Sequence, residues 1–272
     1  WLPRLVSGAA VGAIGMTEPG AGSDLKAIRT TARKEGDGYV INGSKIFISN
    51  GQHCDLIVLA AKTDPAGGAK GVSLFLVDTQ TPGFSRGQNL EKIGQHAGDT
   101  SELFFNDLRV PADALLGGVE GQGFVQMMRE LPRERLIIGV QAVYGAKGAL
   151  DATVKYVQER QAFGQAIGQF QNTRFTLAQC ASDIAAAEAF LNASVAAYER
   201  GELTPEAASA LKLHTTEVMG RVADACLQLF GGYGYMAEYP ISRFWTDARV
   251  MRIYGGTSEI MKEIVARGLL KP

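Results

Sequence analysis

The stretch RELPRERLIIGVQAVYGAKGALDATVKYVQERQAF, residues 129–163, decides the fold. Proline fits best in the first turn of a helix, so we predict a helix that begins at Pro132 and runs to about Arg160. Apolar residues recur along it in steps of three, four and seven, which predicts one buried stripe. The stripe consists of Leu136, Val140, Val143, Leu150, Val154 and Val157.

One carboxylate stands near the predicted start of this helix. Glu134 would lie in the first turn, where the helix dipole favours a negative charge, and Ile137 and Ile138 would be its neighbours one turn on. A carboxyl group against apolar side chains has a raised pKa, which suits a general base. The same residues also fit a plain core helix with solvated charges, so the pattern alone leaves both interpretations open.

Length and composition are those of an ordinary globular protein. The 272 residues are 46% hydrophobic and 20% charged, with a formal net charge of −1. This length suits one large domain or two of ordinary size, and the charge argues against a nucleic-acid partner. No apolar run reaches the roughly 18 residues of a membrane span, so we expect no stable membrane insertion. The start of the chain has no signal-peptide pattern.

The spacing of cysteine and histidine residues predicts no metal site. Cys54, Cys180 and Cys226 are widely separated, and the three histidines are scattered. This matches neither a disulfide framework nor a zinc-ligand pattern. We expect a reducing compartment: the cytoplasm, or the mitochondrial matrix if the source is eukaryotic. A first residue other than Met suggests a fragment or a trimmed chain.

Residues 8–111 are rich in β-forming residues. Short runs such as Ile46–Ile48 and Val72–Val77 alternate with turn-forming residues. Asn42-Gly43, between two apolar runs, predicts a two-residue hairpin turn because Asn and Gly tolerate positive φ. Strands at this spacing without intervening helices predict an antiparallel β-barrel or sandwich.

Helical periodicity dominates from Gly123 onward. Thr204-Pro205 is typical of an N-cap followed by a proline in the first helical turn. The predicted helical segments after the central helix are Thr173–Arg200, Thr204–Phe230, Ile241–Met251 and Ser258–Leu269. The second half therefore predicts an up-and-down four-helix bundle, and the fold class is α+β.

Three short stretches have the residue types of a cofactor site. Met16–Asp24 is rich in glycine and hydroxyl groups, which suits close approach to a phosphate or flavin, although it lacks a complete dinucleotide fingerprint. Lys45–Gly51 places Phe47 and Ser49 on one face of a strand. Thr257 or Ser258 would cap the last helix, whose free N–H groups suit an anion. Each stretch alone also fits a plain loop or core strand, so spacing names no reaction.

Together these stretches resemble the acyl-CoA dehydrogenase family along essentially the whole chain. Five motifs stand in that family's order: MTEPGAGSD at 16–24, KIFISNG at 45–51, ERQAFG at 159–164, QLFGGYGY at 228–235 and IYGGTSEIMKEIVAR at 253–267. The resemblance implies a middle β domain at 8–116 and a C-terminal helical bundle domain at 117–272. It also implies that the family's N-terminal helical domain is absent, except for a remnant at 1–7.

The resemblance implies FAD-dependent α,β-dehydrogenation of an acyl-CoA thioester to a trans-2-enoyl-CoA. A carboxylate would remove the Cα proton while the Cβ hydrogen leaves as a hydride to flavin N5. The electrons would pass to an electron-transfer flavoprotein.

The expected base follows from a departure from the family's commonest pattern. Many members carry it in Tyr-Glu-Gly-Thr, where this chain has Gly255. A smaller branch, which includes the long-chain and isovaleryl enzymes, carries it before an arginine on the central helix, and Glu134-Arg135 matches that pattern. We expect Glu134 to be the base, Arg135 to lie on the substrate side near CoA, and Gly255 to offer its main-chain N–H to the thioester carbonyl.

Further site residues follow from the same motif matches. Met16, Thr17, Phe47 and Ser49 are expected to line the flavin, Ser23 to lie near the cofactor or CoA phosphates, and Thr257 and Glu259 to lie at the adenine-side phosphates. The residues expected to reach the FAD of a neighbouring subunit are Arg160, Phe163, Gln171, Gln228, Gly231 and Gly232. The resemblance therefore implies a homotetramer, formed as a dimer of dimers.

Two alternatives use the same fold. An acyl-CoA oxidase or a flavin monooxygenase-like relative would let oxygen reach the reduced flavin, although Glu134 favours proton abstraction. A non-enzymatic assembly subunit would fit the absence of the usual base at Gly255, although the intact ELPRERL and flavin motifs argue against it.

Overall fold

The computed structural model describes residues 1–270, which form two compact units. The first unit consists of residues 1–92 and 96–129. The second unit consists of residues 93–95 and the chain from residue 130 onward.

The first unit is built on a seven-stranded sheet preceded by a short helix. Its elements are α1 (Leu2–Val6), β1 (Gly12–Gly15), β2 (Thr31–Glu35), β3 (Gly38–Ser49), β4 (Leu56–Lys62), β5 (Val72–Asp78), β6 (Phe84–Asn89) and β7 (Thr100–Pro111). The strand order is β1-β4-β2-β3-β7-β6, and β5 pairs with β4. The fully buried core of the sheet includes Ile41, Ile57, Leu59, Phe75, Leu103 and Phe105.

The sheet is mixed, whereas the sequence predicted antiparallel pairing. Strands β2–β3, β3–β7, β4–β5 and β6–β7 are antiparallel, but β1 pairs with β4 in parallel, and β2 meets β4 in a parallel bridge. Parallel neighbours need a long crossover connection. The hairpin β2–β3 and its flanking loops provide that connection between β1 and β4, and short-range sequence signals do not report it.

The predicted hairpin turn at Asn42-Gly43 is wrong. Both residues lie inside the twelve-residue strand β3. The turn is at Gly36-Asp37, between the paired strands β2 and β3, and Gly36 has a φ of +62°. Gly43 lies at a bulge opposite β7, where an added Cβ would be 2.4 Å from Thr30 Oγ1. The glycine therefore permits a close approach of backbone rather than a reversal of the chain.

The second unit is helical, and the predicted bundle is confirmed. It contains most of α2 (Gly123–Glu159), then β8 (Gln161–Ala162), β9 (Gln165–Ala166), α3 (Gln171–Glu199), α4 (Pro205–Phe230), α5 (Pro240–Arg249) and α6 (Ser258–Leu269). Helix α4 packs against α3, α5 and α6. One apolar cluster joins Val143 of α2, Ile184 of α3 and Met219 of α4.

Helix α2 begins earlier than predicted. It starts at Gly123, and Pro132 lies inside it, so the predicted start at Pro132 is wrong. The turns before the proline are stabilised by tertiary packing, because Met127 is buried with Val72 and Leu74 in the first unit. Glu134 therefore lies well inside the helix, and the first-turn dipole effect predicted for it does not apply.

The apolar stripe of α2 is confirmed in most positions. Leu136, Val143 and Val157 are buried, and Leu150 and Val154 are half-buried. Val140 is 36% exposed, so its prediction is wrong. The buried face also includes the small residues Ala142, Ala146 and Ala149. The stripe is therefore shifted toward alanine positions, which allow close packing of neighbouring helices.

Among the helices of residues 1–270, none combines the length and apolarity that crossing a membrane requires.

Candidate active site

The second unit contains a cleft of about 530 Å³. Its walls come from α2, α4, α5 and the loop before α6, and they include Glu134, Ile138, Met219, Phe244, Tyr254 and Gly255. The cleft is a mostly apolar cavity with a small number of polar groups, as expected for a small-molecule site. It brings together Glu134 and Gly255, two of the residues singled out from the sequence.

Glu134 is half-buried in this cleft. Burial raises the pKa of its carboxyl group, the charge of Arg135 lowers it, and the charge of Glu130 raises it again. The net shift is upward, so the predicted raised pKa is confirmed. A carboxylate with this shift has gained basicity, which a proton-abstracting group needs.

Two buried cations accompany Glu134. Arg135 is 5% exposed, and its Nη1 donates to Ser209 Oγ at 3.1 Å, while its Nε has no partner among the described residues. Lys212 of α4 is fully buried, and its Nζ donates to the carbonyl oxygen of Gly256. Burial, and then the charge of Arg135, lowers the pKa of Lys212 to about 8.

Lys212 is a residue of this site that no sequence motif marked. The lysine stands on the apolar face of α4, in helical register with the buried residues Ala208, Thr215 and Met219. A lysine on the buried face of a helix is rare unless it is paired or bound. This break in the apolar pattern is the signal that could have revealed it.

The loop before α6 contains two consecutive glycines with positive φ. Gly255 has a φ of +63° and Gly256 a φ of +100°, conformations that other residues rarely adopt. An added Cβ at Gly255 would lie 2.5 Å from Ile138 Cδ1. The loop therefore approaches α2 closely at the point where the cleft is formed.

Helix α4 fixes this loop at three points. Lys212 binds the carbonyl oxygen of Gly256 within the loop. Glu217 accepts hydrogen bonds from Arg252 Nη1 at 3.2 Å, before the loop, and from Ser258 Oγ at 2.9 Å, after it. Helix α4 thus anchors the loop before, within and after the glycine pair.

Another wall of the cleft is polar, and no sequence motif predicted it. The main-chain N–H of Gln95 donates to Asp247 Oδ1 at 2.5 Å, and the hydroxyl of Tyr254 donates to Gln141 Oε1 at 3.3 Å. Gln95 comes from a loop that follows β6, far from α5 in sequence. No local pattern marks such a long-range contact.

In the first unit, a buried ion pair joins the two motif stretches at 16–24 and 45–51. Lys45 Nζ lies 2.8 Å from Glu18 Oε1 and 3.0 Å from the carbonyl oxygen of Met16. Burial raises the pKa of Glu18, but hydrogen bonds and the charge of Lys45 outweigh burial, and the net pKa is lowered. Burial lowers the pKa of Lys45 to about 8, although its hydrogen bond to Glu18 and the charge of Glu18 raise it.

The predicted flavin-lining residues lie on either side of this pair. Met16 and Thr17 are half-buried, and the carbonyl oxygen of Thr17 accepts a hydrogen bond from the N–H of Ile46 at 3.0 Å. Phe47 is 63% exposed with a φ of +60°, and Ser49 is exposed. Ser23 is also exposed.

A second cleft in the second unit, of about 480 Å³, contains several residues predicted to reach a neighbouring FAD. Arg160, Gln228, Gly231 and Gly232 line it, together with Tyr233. The guanidinium of Arg160 lies 5.4 Å from the centre of the Tyr233 ring. Two predicted residues lie outside this lining: Phe163 is 97% exposed, and Gln171 is exposed at the start of α3.

The last predicted residues lie at the start of α6. The hydroxyl of Thr257 accepts a hydrogen bond from the N–H of Ile260 at 3.3 Å and caps the helix. Glu259 is exposed in the first turn, where hydrogen bonds from its own main-chain N–H and from Thr257 lower its pKa. Within residues 1–270, no cluster of three or more His, Cys, Asp or Glu side chains is arranged to hold a metal ion.

The sequence matches two models of one protein family. Residues 13–108 match the acyl-CoA dehydrogenase middle domain, and residues 121–270 match the acyl-CoA dehydrogenase C-terminal domain.

Individual proteins of known name or structure agree with these matches. The chain is 46% identical to the long-chain specific acyl-CoA dehydrogenase of mitochondria from Sus scrofa over 272 residues, covering 99% of this chain and 63% of that protein. The chain therefore spans less than two thirds of that relative's length.

Solved structures show the same fold. The structure of acyl-CoA dehydrogenase from Geobacillus kaustophilus matches with a TM-score of 0.98 and 48% identity, covering 100% of this chain and 72% of that one. A structure of the electron transferring flavoprotein of Acidaminococcus fermentans matches with a TM-score of 0.96 and 40% identity, covering 100% and 71%. The resemblance inferred from the five motifs is confirmed, and the chain belongs to the acyl-CoA dehydrogenase family.

Proposed function

We propose that the protein is an FAD-dependent acyl-CoA dehydrogenase in which Glu134 removes the Cα proton of an acyl-CoA thioester. One observation carries the proposal: a half-buried carboxyl group with a raised pKa lines an apolar cleft together with the rigid loop at Gly255. The product would be a trans-2-enoyl-CoA. A long-chain acyl group is supported by the 46% identity to a long-chain specific relative.

Different residues of the cleft have different roles in proton removal. Glu134 accepts the proton, and the apolar side chain of Ile138 keeps water from the carboxylate. The main-chain N–H of Gly255 donates to the thioester carbonyl, where negative charge develops as the proton leaves. Lys212 and Glu217 hold that N–H in place, so little reorganisation is needed during the reaction.

The residues of the first unit fit a flavin by their chemistry. The exposed ring of Phe47 offers an aromatic surface, and the exposed Ser49 offers a hydroxyl group. The ion pair of Lys45 and Glu18 holds Met16 and Thr17 beside that strand. FAD, when bound, supplies the acceptor for the hydrogen that leaves Cβ.

The start of α6 is suited to binding the phosphates of the cofactor. Its first main-chain N–H groups, capped by Thr257, form an anion-binding end of a helix. We infer that Thr257 and Glu259 lie at the adenine-side phosphates and that Ser23 lies near the cofactor or CoA phosphates. Arg135 is assigned to the CoA side of the substrate, although its guanidinium is buried against Ser209.

The second cleft supports a homotetramer. This cleft shares no lining residue with the cleft that contains Glu134, and it is lined by Arg160, Gln228, Gly231 and Gly232. We infer that they receive the FAD of a neighbouring subunit, with the exposed Phe163 and Gln171 at its edge. An electron-transfer flavoprotein is the proposed electron acceptor, as the resemblance to the acyl-CoA dehydrogenase family implies.

An anaerobic titration tests the proposed reaction. The full-length, FAD-loaded protein is mixed with saturated acyl-CoAs of increasing length while the oxidised flavin band is followed. We expect the band to bleach in the parent, and the rate to fall by about 100- to 10,000-fold in Glu134→Gln. Glu130→Gln, which removes a neighbouring carboxylate outside the cleft lining, is the matched control and should bleach.

The outcomes separate the alternatives. Bleaching that survives Glu134→Gln would place the base elsewhere. No bleaching with any chain length, while FAD stays bound, would favour a monooxygenase-like reaction. Fast reoxidation of the bleached flavin in air would indicate an oxidase.

A further inference from the structure

The ion pair between Lys45 and Glu18 is enclosed on every side by the first unit. The side chains of Lys45 and Glu18 are 0% and 7% exposed. Glu18 accepts hydrogen bonds from Lys45 Nζ at 2.8 Å, from the N–H of Arg29 at 2.6 Å and from the N–H of Thr30 at 3.0 Å. Lys45 Nζ also donates to the carbonyl oxygen of Met16 at 3.0 Å. The two charges are therefore bound by protein groups in place of water.

Such a pair is poor evidence for stability. Removing two charges from water is costly, and apolar residues of similar volume often replace a buried ion pair without loss of stability. The sheet around Lys45 already has a large apolar core, including the fully buried Phe105 and Leu103. A buried pair in this setting calls for a reason other than the free energy of folding.

The position of the pair supplies that reason. Glu18 follows Thr17 directly, and Lys45 stands two residues before Phe47. Lys45 Nζ binds the Met16 carbonyl oxygen, and the next residue, Ile46, binds the Thr17 carbonyl oxygen through its N–H at 3.0 Å. Two adjacent carbonyl groups of one stretch are thus fixed to two adjacent residues of the other.

Glu18 also shapes the loop that follows it. Its main-chain N–H donates to the carbonyl oxygen of Ala21 at 2.9 Å, and its carbonyl oxygen accepts from the N–H of Ala21 at 3.0 Å. Its carboxylate then binds the N–H groups of Arg29 and Thr30, just before β2. The same residue therefore fixes both ends of the loop from 18 to 30.

We propose that Lys45 and Glu18 are positioning residues that hold Met16 and Thr17 in register with Phe47 and Ser49, so that the two stretches present one preformed surface to the flavin. This inference rests on the proposed FAD site. The pair does not touch the flavin; it sets the distance between the groups that do. Without it the fold persists, but the surface must be ordered when the cofactor binds.

The test compares flavin affinity with the stability of the apoprotein. The full-length protein carrying Lys45→Met and Glu18→Leu keeps two side chains of similar volume without leaving an unpaired charge. FAD affinity is measured by quenching of flavin fluorescence, the bound flavin by visible circular dichroism, and the apoprotein by its thermal unfolding midpoint. Arg33→Met with Glu35→Leu removes an exposed ion pair of the same unit, together with the exposed pairing of Glu35 to Arg109, and is the control.

We expect the double variant to fold with an unfolding midpoint somewhat below the parent's, because the N–H groups of Arg29 and Thr30 and the carbonyl oxygen of Met16 lose their partners. It should bind FAD at least about tenfold more weakly and show altered flavin circular dichroism. The control variant should bind FAD as the parent does. Affinity within about twofold of the parent with an unchanged spectrum would overturn the inference.

Two further outcomes are decisive. If the double variant does not fold, Glu18→Gln takes its place, because glutamine keeps the shape of the side chain and removes its charge. Parental FAD affinity and an unchanged spectrum in this variant would overturn the inference. Loss of FAD affinity in the folded variant would support it. If the parent itself binds no FAD, the proposed function fails and this inference falls with it. A parent that binds FAD beside a double variant that binds equally well refutes the positioning role alone.

Discussion

Glu134 and Gly255 line the same cleft, although one stands on α2 and the other on the loop before α6. The contact between their elements is close, because a Cβ at Gly255 would lie 2.5 Å from Ile138 Cδ1, one helical turn from Glu134. A carboxylate from α2 and a glycine from the loop thereby line one cavity. The same contact leaves no room for a side chain at position 255, which agrees with the proposal that the base is Glu134 on the helix.

A glutamate at position 255 should not replace Glu134 unless Ile138 is shortened. The positive φ at Gly255 costs an L-residue about 1–2 kcal/mol, and the new Cβ would clash with Ile138 Cδ1. In anaerobic single-turnover bleaching, we expect Glu134→Gln with Gly255→Glu to stay as slow as Glu134→Gln alone. Adding Ile138→Val removes Cδ1 and should recover part of the rate. Parental rates without the change at Ile138 would contradict this steric account.

The pH dependence of bleaching should report the environment of Glu134. Burial raises the pKa of its carboxyl group above 4.5, so the rate should fall with decreasing pH before that value is reached. Glu130→Gln removes a charge that raises this pKa, so the acid limb should move to lower pH. A limb that does not move, or moves upward, would show that Glu134 does not control the titration.

The same shift has a consequence for stability. A carboxyl group whose pKa is higher in the folded than in the unfolded state stabilises the fold when it is protonated, and this contribution is lost as pH rises through the folded pKa. Glu134→Gln should therefore raise the unfolding midpoint at neutral pH, and the difference should shrink below about pH 4.5. Thermal unfolding of parent and variant at a series of pH values measures this difference in midpoint. A variant that is less stable than the parent at neutral pH would contradict the prediction.

Lys212→Met should loosen the loop without unfolding the second unit. The substitution keeps the volume of the side chain and removes a buried cation, but it leaves the carbonyl oxygen of Gly256 without its donor. We expect faster hydrogen exchange at the main-chain N–H groups of residues 255–257 and a lower kcat with little change in KM. Lys147→Met, which removes a partly exposed lysine paired with Glu188, is the control.

Lys212 should also affect how the free energy of unfolding depends on pH. Its folded pKa of about 8 lies below the ordinary 10.5, so the unfolded chain binds more protons between these values. The contribution of Lys212 to the free energy of unfolding therefore rises with pH across that window. Lys212→Met should lose this rise in denaturant titrations at a series of pH values; an identical slope in parent and variant would argue against the buried cation.

Two helix caps permit a matched comparison. Thr204 caps α4 by accepting from the N–H of Ala207 at 3.1 Å, and Thr257 caps α6 by accepting from the N–H of Ile260 at 3.3 Å. Either Thr→Ala change should cost about 1 kcal/mol in the free energy of unfolding, as measured with denaturant. Only Thr257→Ala should also weaken FAD binding, because only that cap is assigned to the cofactor phosphates. Equal FAD affinity in both variants would remove Thr257 from the site.

Local signals predicted the elements that depend on local contacts. The starts of α4 and α6 follow from Thr204-Pro205 and Thr257-Ser258, because an N-cap is a hydrogen bond between residues three apart. The raised pKa of Glu134 was also predictable, since its apolar neighbours on one helix are set by helical periodicity.

Long-range contacts overrode local preference elsewhere. Asn42-Gly43 has the composition of a turn, but pairing with β2 on one side and β7 on the other keeps it inside β3. Pro132 normally limits a helix, yet the burial of Met127 in the first unit extends α2 before it. In both cases the packing of distant residues outweighs a propensity of about 1–3 kcal/mol.

The sequence by itself determined the family, the division into a strand-rich and a helical half, the helix caps and the carboxylate on the central helix, because these depend on residue type and short spacing. Tertiary structure alone decided which groups share the cleft with that carboxylate, Gln95 after β6 and Gly255, and that Lys212 on α4 binds the loop at Gly256. These groups meet only when separate helices and loops pack into one unit. A site assembled from distant segments takes its geometry and its charge balance from that packing, and no local pattern in the chain encodes either.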